Sequence, residues 1–178
     1  PSVTFLRRAQ QRTLGPIPLP EVRDAFMQTV QTAGFCMDMT AAELAAQKSM
    51  GHPYMVQLVG YYMWRSAVRR DSQDIEVCDV EAGHADAISE FYEAVDAPLY
   101  YGLRSPHRLF IEAMAADEDK PTRMADLIER CDRTQSWASK YRASLIRERV
   151  IEAAGYGLVR FAVPMLGEYI RDRVLWHE

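Results

Sequence analysis

The sequence predicts a mainly α protein in two parts: a bundle of helices, then a three-helix module closed by a small β-hairpin. Three observations predict it. Apolar residues recur at helical spacing through most of the chain. Proline and glycine stand where those stretches begin and end. Only near the C-terminus do two short strand-like runs appear, joined by glycines. At 178 residues and 48% hydrophobic content the chain is large enough for one ordinary domain or two small ones with real cores.

Residues 1–17 read as an extended entry segment, because Leu14-Gly15-Pro16-Ile17-Pro18-Leu19-Pro20 is too rich in proline and glycine for a helix interior. A helix is predicted from about Pro20, with Val22, Ala25, Phe26 and Val30 on one face and Gly34 as its stop. Thr40 and Glu43 form a capping box ahead of a second helix, which runs to Gly51. Gly51 suits positive φ at a helix C-terminus, and Pro53 suits a first turn where its missing N–H is not needed. The third helix, 53–70, is apolar nearly all round through Met55, Val56, Leu58, Val59, Tyr62, Met63 and Trp64, the pattern of a core helix. Ile75 and Val77 make a short extended piece. A fourth helix follows from about Val80, with Ile88, Phe91, Tyr92 and Val95 on one face, and Asp96-Ala97-Pro98 ends it.

Beyond a linker at 98–102, Ser105-Pro106 reads as a cap and a first-turn proline. Three short helices are predicted on Leu109/Phe110/Ala113/Met114, on Met124/Leu127/Ile128/Cys131 and on Trp137/Tyr141/Leu145/Ile146. The runs at 150–153 and 158–163 flank Gly155-Tyr156-Gly157, a hairpin tip. A last helix opens at Pro164. Helix, helix, helix, hairpin is the winged-helix order, so the chain divides into a helical module over 18–97 and a winged-helix module over 103–178.

Composition narrows the function. No apolar run approaches the ~20 residues that span a bilayer, and the first residues carry no signal-peptide core, so no membrane partner is predicted. The start without methionine reads as a piece of a longer protein. Cys36, Cys78 and Cys131 lack any paired spacing, which predicts a reducing cytoplasm. His52, His84, His107 and His177 lack metal-ligand spacing, so no metal site is predicted. Walker A, G-x-S-x-G and H-E-x-x-H patterns are absent, so no independent catalysis and no catalytic residue is predicted.

Two places remain. The turn Gly51-His52-Pro53-Tyr54 reads by itself as a helix corner on which a nucleotide base could rest. The formal charge of −4 hides a positive stretch, 133–149, with Arg133, Lys140, Arg142, Arg147 and Arg149 against Glu148 alone. In a winged helix the third helix presents its first turns to the major groove. Arg133, Gln135, Ser136, Ser139, Lys140 and Arg142 are therefore the DNA-binding candidates, with Arg160 on the wing for the backbone. A solvated basic helix on a domain that packs against a neighbour explains the same residues. Trp137 and Tyr141, spaced with Leu145, are assigned to the core.

The order of parts resembles the C-terminal portion of prokaryotic AAA+/STAND-type P-loop ATPases, in which a helical lid and a winged helix follow the ATPase core. Phe5-Leu6-Arg7-Arg8 leading to Leu14-Gly15-Pro16-Ile17 looks like the exit from the last core strand. Gly51-His52-Pro53-Tyr54, followed by Gln57-Leu58-Val59-Gly60 and Trp64-Arg65, looks like the Gly-x-Pro motif of the lid and the helix behind it. Residues 136–149, then Gly155-Tyr156-Gly157-Leu158-Val159-Arg160-Phe161, look like the third helix and wing. The resemblance implies that Pro53 lies against the adenine of ATP or ADP, with Gly51, His52 and Tyr54 beside it. It also implies that the nucleotide and its Mg are held mainly by an upstream P-loop core that is the partner of this region, with none bound to the region alone. The chain departs from the family at two points. Gly-His-Pro-Tyr carries no phosphate-sensing arginine, and Phe161-Ala162-Val163-Pro164-Met165 carries no phosphate-sensing histidine.

The implied function is a regulatory lid and winged helix that relay an ATP-dependent switch to DNA or a protein partner. The alternative is a winged-helix DNA-binding regulator whose helical half is a dimerisation or ligand domain.

Overall fold

The computed structural model describes residues 15–118 and 120–175. The expected entry segment thus lies outside the described residues except for 15–17, which run without regular structure into the first helix. The chain divides between Ala87 and Ile88 into two compact units.

In the first unit, α1 (Leu19–Thr32) has proline in its first turn and buries Val22, Phe26 and Val30. Ala25, placed on that face by spacing, is exposed. A two-residue strand, β1 (Cys36–Met37), leads to α2 (Met39–Ser49). The cap differs from the expected capping box: Asp38 accepts from the Ala41 N–H at 2.7 Å, and Thr40 is already helical. Both residue types cap well, and the one with extended backbone takes the role. Ala41, Ala42, Ala45 and Ala46 are all buried, so α2 packs through small side chains. The helix ends on two consecutive left-handed residues, Met50 and Gly51.

Helix α3 (Pro53–Arg69) buries Met55, Leu58, Val59, Met63 and Ala67. It is not buried all round, since Tyr61, Trp64 and Val68 are exposed. Between α1 and α3 an apolar groove of about 470 Å³ is lined by Phe26, Val30, Gly60, Tyr61 and Trp64 among others. Strand β2 (Asp74–Ile75) pairs in parallel with β1, Cys36 opposite Asp74 and Met37 opposite Ile75. Helix α4 (Val77–Phe91) follows. A Cβ on its Gly83 would stand 2.5 Å from the Met63 nitrogen, so glycine lets α4 lie backbone to backbone on α3.

An ion pair between exposed Arg70 and buried Asp79 closes the loop between these helices. Arg70 donates from Nη2 to Asp79 Oδ2 at 2.6 Å and from Nε to Oδ1 at 3.0 Å, and its Nη2 also reaches the Asp74 carbonyl at 3.1 Å. Asp79 is fully buried and accepts the Glu76 N–H at 3.0 Å, which caps α4. Burial pushes its pKa up, but hydrogen bonds from Arg70, the Glu76 N–H and Ser66 hold it below the ordinary carboxylate value.

In the second unit the end of α4 passes into a π turn, Tyr92–Asp96, and then α5 (Ala97–Gly102). The residues expected as a linker, 98–102, are thus helical. The Ala97 N–H reaches back five residues to the Tyr92 carbonyl, and Pro98 then stands in the first turn of α5, where no donor is required. Helix α6 (Ser105–Ala115) has Arg104 at its cap position, so Ser105 is the first helical residue rather than the cap.

A strand that the sequence reading lacks, β3 (Thr122–Arg123), precedes α7 (Met124–Cys131) and α8 (Gln135–Arg147). The hairpin is β4 (Ile151–Gly155) and β5 (Leu158–Phe161), and the sheet order β3-β5-β4 is antiparallel throughout. Helix α9 (Leu166–Tyr169) continues as a second π turn, Ile170–Val174. Phe110, Ile111, Met114, Leu127, Leu145, Ile151, Val159, Leu166 and Ile170 are fully buried and form the core. Arg130 clamps Asp117 with two bonds, 2.6 and 2.7 Å, which fixes the loop before β3. Helix, strand, two helices and hairpin form a winged helix, α7 and α8 being its helix-turn-helix and β4–β5 its wing.

Candidate functional site

The winged-helix unit positions its candidate residues through the start of α8. Asp132 in the left-handed region stops α7, and Thr134 caps α8 by accepting the Trp137 N–H at 3.2 Å. This three-residue turn orients the faces of α8. Trp137 is half-buried against Phe110 at 6.1 Å and Tyr141 at 4.8 Å, and Tyr141 meets His107 edge-on at 5.1 Å. Ala138 and Leu145 are buried. With those residues turned inward, Gln135, Ser136, Ser139 and Lys140 are exposed and Arg142 is half-buried.

The fold brings three of these together with the wing. Gln135, Ser139 and Arg142 line a cleft of about 480 Å³ with Met124 and the wing tip Gly155-Tyr156-Gly157. Its walls offer an amide, a hydroxyl and a guanidinium, groups suited to base edges and phosphates. Ser136 and Lys140 are not in the cleft wall; the Lys140 ammonium stands 5.4 Å from the Tyr141 ring centre. Arg133, in the turn, donates to the Asp132 carbonyl at 3.0 Å. Arg160, expected to reach a backbone phosphate, donates instead to Glu152 Oε1 at 2.6 Å across the hairpin. Sequence reading treated Tyr156 only as part of the turn. An aromatic residue between two glycines at a hairpin tip was the available signal.

In the first unit, the turn before α3 is built where the incoming chain crosses it. The Ile17 N–H donates to the Gly51 carbonyl at 2.8 Å, and Ile17 O lies 2.2 Å from where a Cβ on Gly51 would be. Gly51 has φ +69 and is buried, so its glycine answers both to the left-handed backbone and to the crossing chain at Ile17. His52 is half-buried, and burial lowers its pKa, which keeps its imidazole neutral near pH 7. Pro53 is exposed and Tyr54 half-buried. Gly51-His52-Pro53-Tyr54 contains no acidic or basic side chain besides the His52 imidazole.

Among the described residues no helix is long and apolar enough to cross a membrane.

The fold and these sites define a mainly helical protein with a winged-helix unit following a helical bundle. A family model described as "Domain of unknown function (DUF8462)" matches residues 97–170, which begins at α5 and takes in most of the winged-helix unit. No curated protein matches the chain. Among solved structures it is similar to RuvB of Thermotoga maritima, titled a Holliday junction branch migration motor, at 13% identity and a TM-score of 0.40. Two point mutants of that protein give 13% and 12% identity with TM-scores of 0.42. Each alignment covers 90% of this chain and 51% of the solved one, so the chain spans about half their length.

Proposed function

We propose that this chain is the lid and winged-helix portion of an AAA+-type ATPase, and that its winged-helix unit engages nucleic acid through α8 and the wing. The observation that carries the reading is the cleft in which Gln135, Ser139 and Arg142 face the wing tip. Most cations of the 133–149 stretch belong to the same helix, so phosphate attraction and base contact would be delivered by one element. The lid half is supported by the turn at Gly51–Pro53. The chain entering from the N-terminal side bonds to Gly51 itself, so a base resting on Pro53 would bear on the hinge by which a lid moves.

Two measurements test the reading. The full chain should bind a labelled DNA duplex with strongly salt-dependent affinity, and Lys140→Ala with Arg142→Ala should weaken it about tenfold and flatten the salt slope. Absence of binding at low salt removes the nucleic-acid role. In the intact parent protein, Pro53→Ala should weaken adenine-nucleotide binding several-fold by calorimetry, and unchanged affinity removes the role of Pro53.

A second reading, a nucleic-acid-binding regulator with a helical dimerisation or ligand domain, is favoured by the apolar groove between α1 and α3. A dimer in solution that dissociates on Trp64→Ser would favour it over a lid.

A further inference from the structure

The wing of this unit is chemically unlike a phosphate-tracking wing. Its tip, Gly155-Tyr156-Gly157, carries no charge, and the one cation of the hairpin strands, Arg160, is paired with Glu152 at 2.6 Å. The hairpin strands therefore bring no net charge toward a backbone, whereas α8 brings several cations. At the tip stands Tyr156, fully exposed at 106% of its reference area, while Ile151 and Val159 on the hairpin strands are buried. A ring that packs on nothing forfeits the hydrophobic gain an aromatic side chain normally makes. The backbone that carries the ring is nevertheless anchored. Gly155 and Gly157 take φ of +133 and +68, a backbone that side chains rarely adopt, and the Met124 N–H holds the Gly157 carbonyl at 2.9 Å, tying the tip to the start of α7. Tyr156 shares the cleft with Gln135 and Arg142.

We propose that Tyr156 stacks on an unpaired base, so that the winged-helix unit engages nucleic acid where a single strand leaves a duplex. The inference rests on the nucleic-acid reading of the α8 cleft. A phenol ring has a π face but no charge, so its strong contact with nucleic acid is with a base face, and base faces inside a continuous duplex are occupied by their neighbours. A strand that has just left the duplex exposes one within reach of a ring that shares its cleft with Arg142, whose guanidinium would take an adjoining phosphate. Gln135 is placed to bond the edge of the same base or of the last pair.

The test compares two labelled DNAs with the full chain at fixed salt: a blunt duplex, and the same duplex extended by a single-stranded tail whose first unpaired base is 2-aminopurine. The tailed DNA should bind about tenfold more tightly than the blunt one, with quenching of 2-aminopurine fluorescence on stacking. Tyr156→Phe should keep both effects, and Tyr156→Ala should abolish both, so that the two DNAs bind alike, with the circular dichroism spectrum unchanged. Equal affinity for the two DNAs, or a tail preference that survives Tyr156→Ala, overturns the inference. If Lys140→Ala with Arg142→Ala weakens binding while Tyr156→Ala changes nothing, the stacking role falls and the α8 interface stands. If neither DNA binds at low salt, the nucleic-acid reading falls and takes this inference with it.

Discussion

Asp96 should make the winged-helix unit less stable as pH rises, and Asp96→Asn should remove that dependence. The carboxyl is fully buried at the end of the π turn Tyr92–Asp96, and neither oxygen has a hydrogen-bond partner among the described residues. Burial, reinforced by the nearby Glu168 carboxylate, pushes its pKa up to about 8. In the unfolded chain it returns to about 4. A carboxyl whose folded pKa lies above its unfolded value holds its proton longer in the native state. The contribution of Asp96 to stability is therefore greatest below about pH 4 and declines by about 1.4 kcal/mol per unit until the folded group ionises near pH 8. The full window amounts to about 6 kcal/mol as a ceiling, and water admitted on ionisation brings the expected loss to about 2–4 kcal/mol. Asparagine has the same shape and cannot ionise. Its buried amide costs about 1 kcal/mol at every pH, so the slope carries the information and the offset does not. Urea unfolding at several pH values from 5 to 8 should give a stability difference that moves steadily toward the variant, and the carbon-13 signal of the Asp96 carboxyl should titrate near pH 8. Parallel pH profiles for the two proteins, or a carboxyl midpoint near 4, would refute the reasoning.

Gly51→Ala should destabilise the helical unit by about 2 kcal/mol or more, because the new Cβ meets the Ile17 carbonyl oxygen at a backbone angle that alanine rarely adopts; a thermal shift under 1 °C contradicts this. Asp79→Ala should cost about 2–3 kcal/mol at pH 7 by removing the cap of α4 and the partner of Arg70. The folded pKa of Asp79 is depressed, so its contribution is present above the unfolded pKa and is lost as pH falls through the folded one. The gap between wild type and variant in denaturant midpoint should close in acid, and a gap independent of pH would show that the carboxylate charge is not what matters.

The sequence by itself determined where most helices begin and end, because those signals are local. Pro53 and Gly51 mark the α2–α3 corner by their own backbone limits, and the inward face of α8 follows from the spacing of Trp137, Tyr141 and Leu145. It also placed Gln135, Ser139 and Arg142 on the third helix of the winged module, since helix order suffices for that. Only the tertiary structure decided what depends on partners distant in the chain. Two-residue strands such as β1 and β2 have no periodicity to read and exist because Cys36 finds Asp74 across the fold. Pro98 reads as a stop until the π turn supplies a place where its absent N–H goes unmissed. That Glu152 stands opposite Arg160 and pairs with it follows only from the hairpin register. Tyr156 gains its meaning the same way: antiparallel pairing lifts it into solvent beside α8, and burial, unlike propensity, is a property of the whole folded chain.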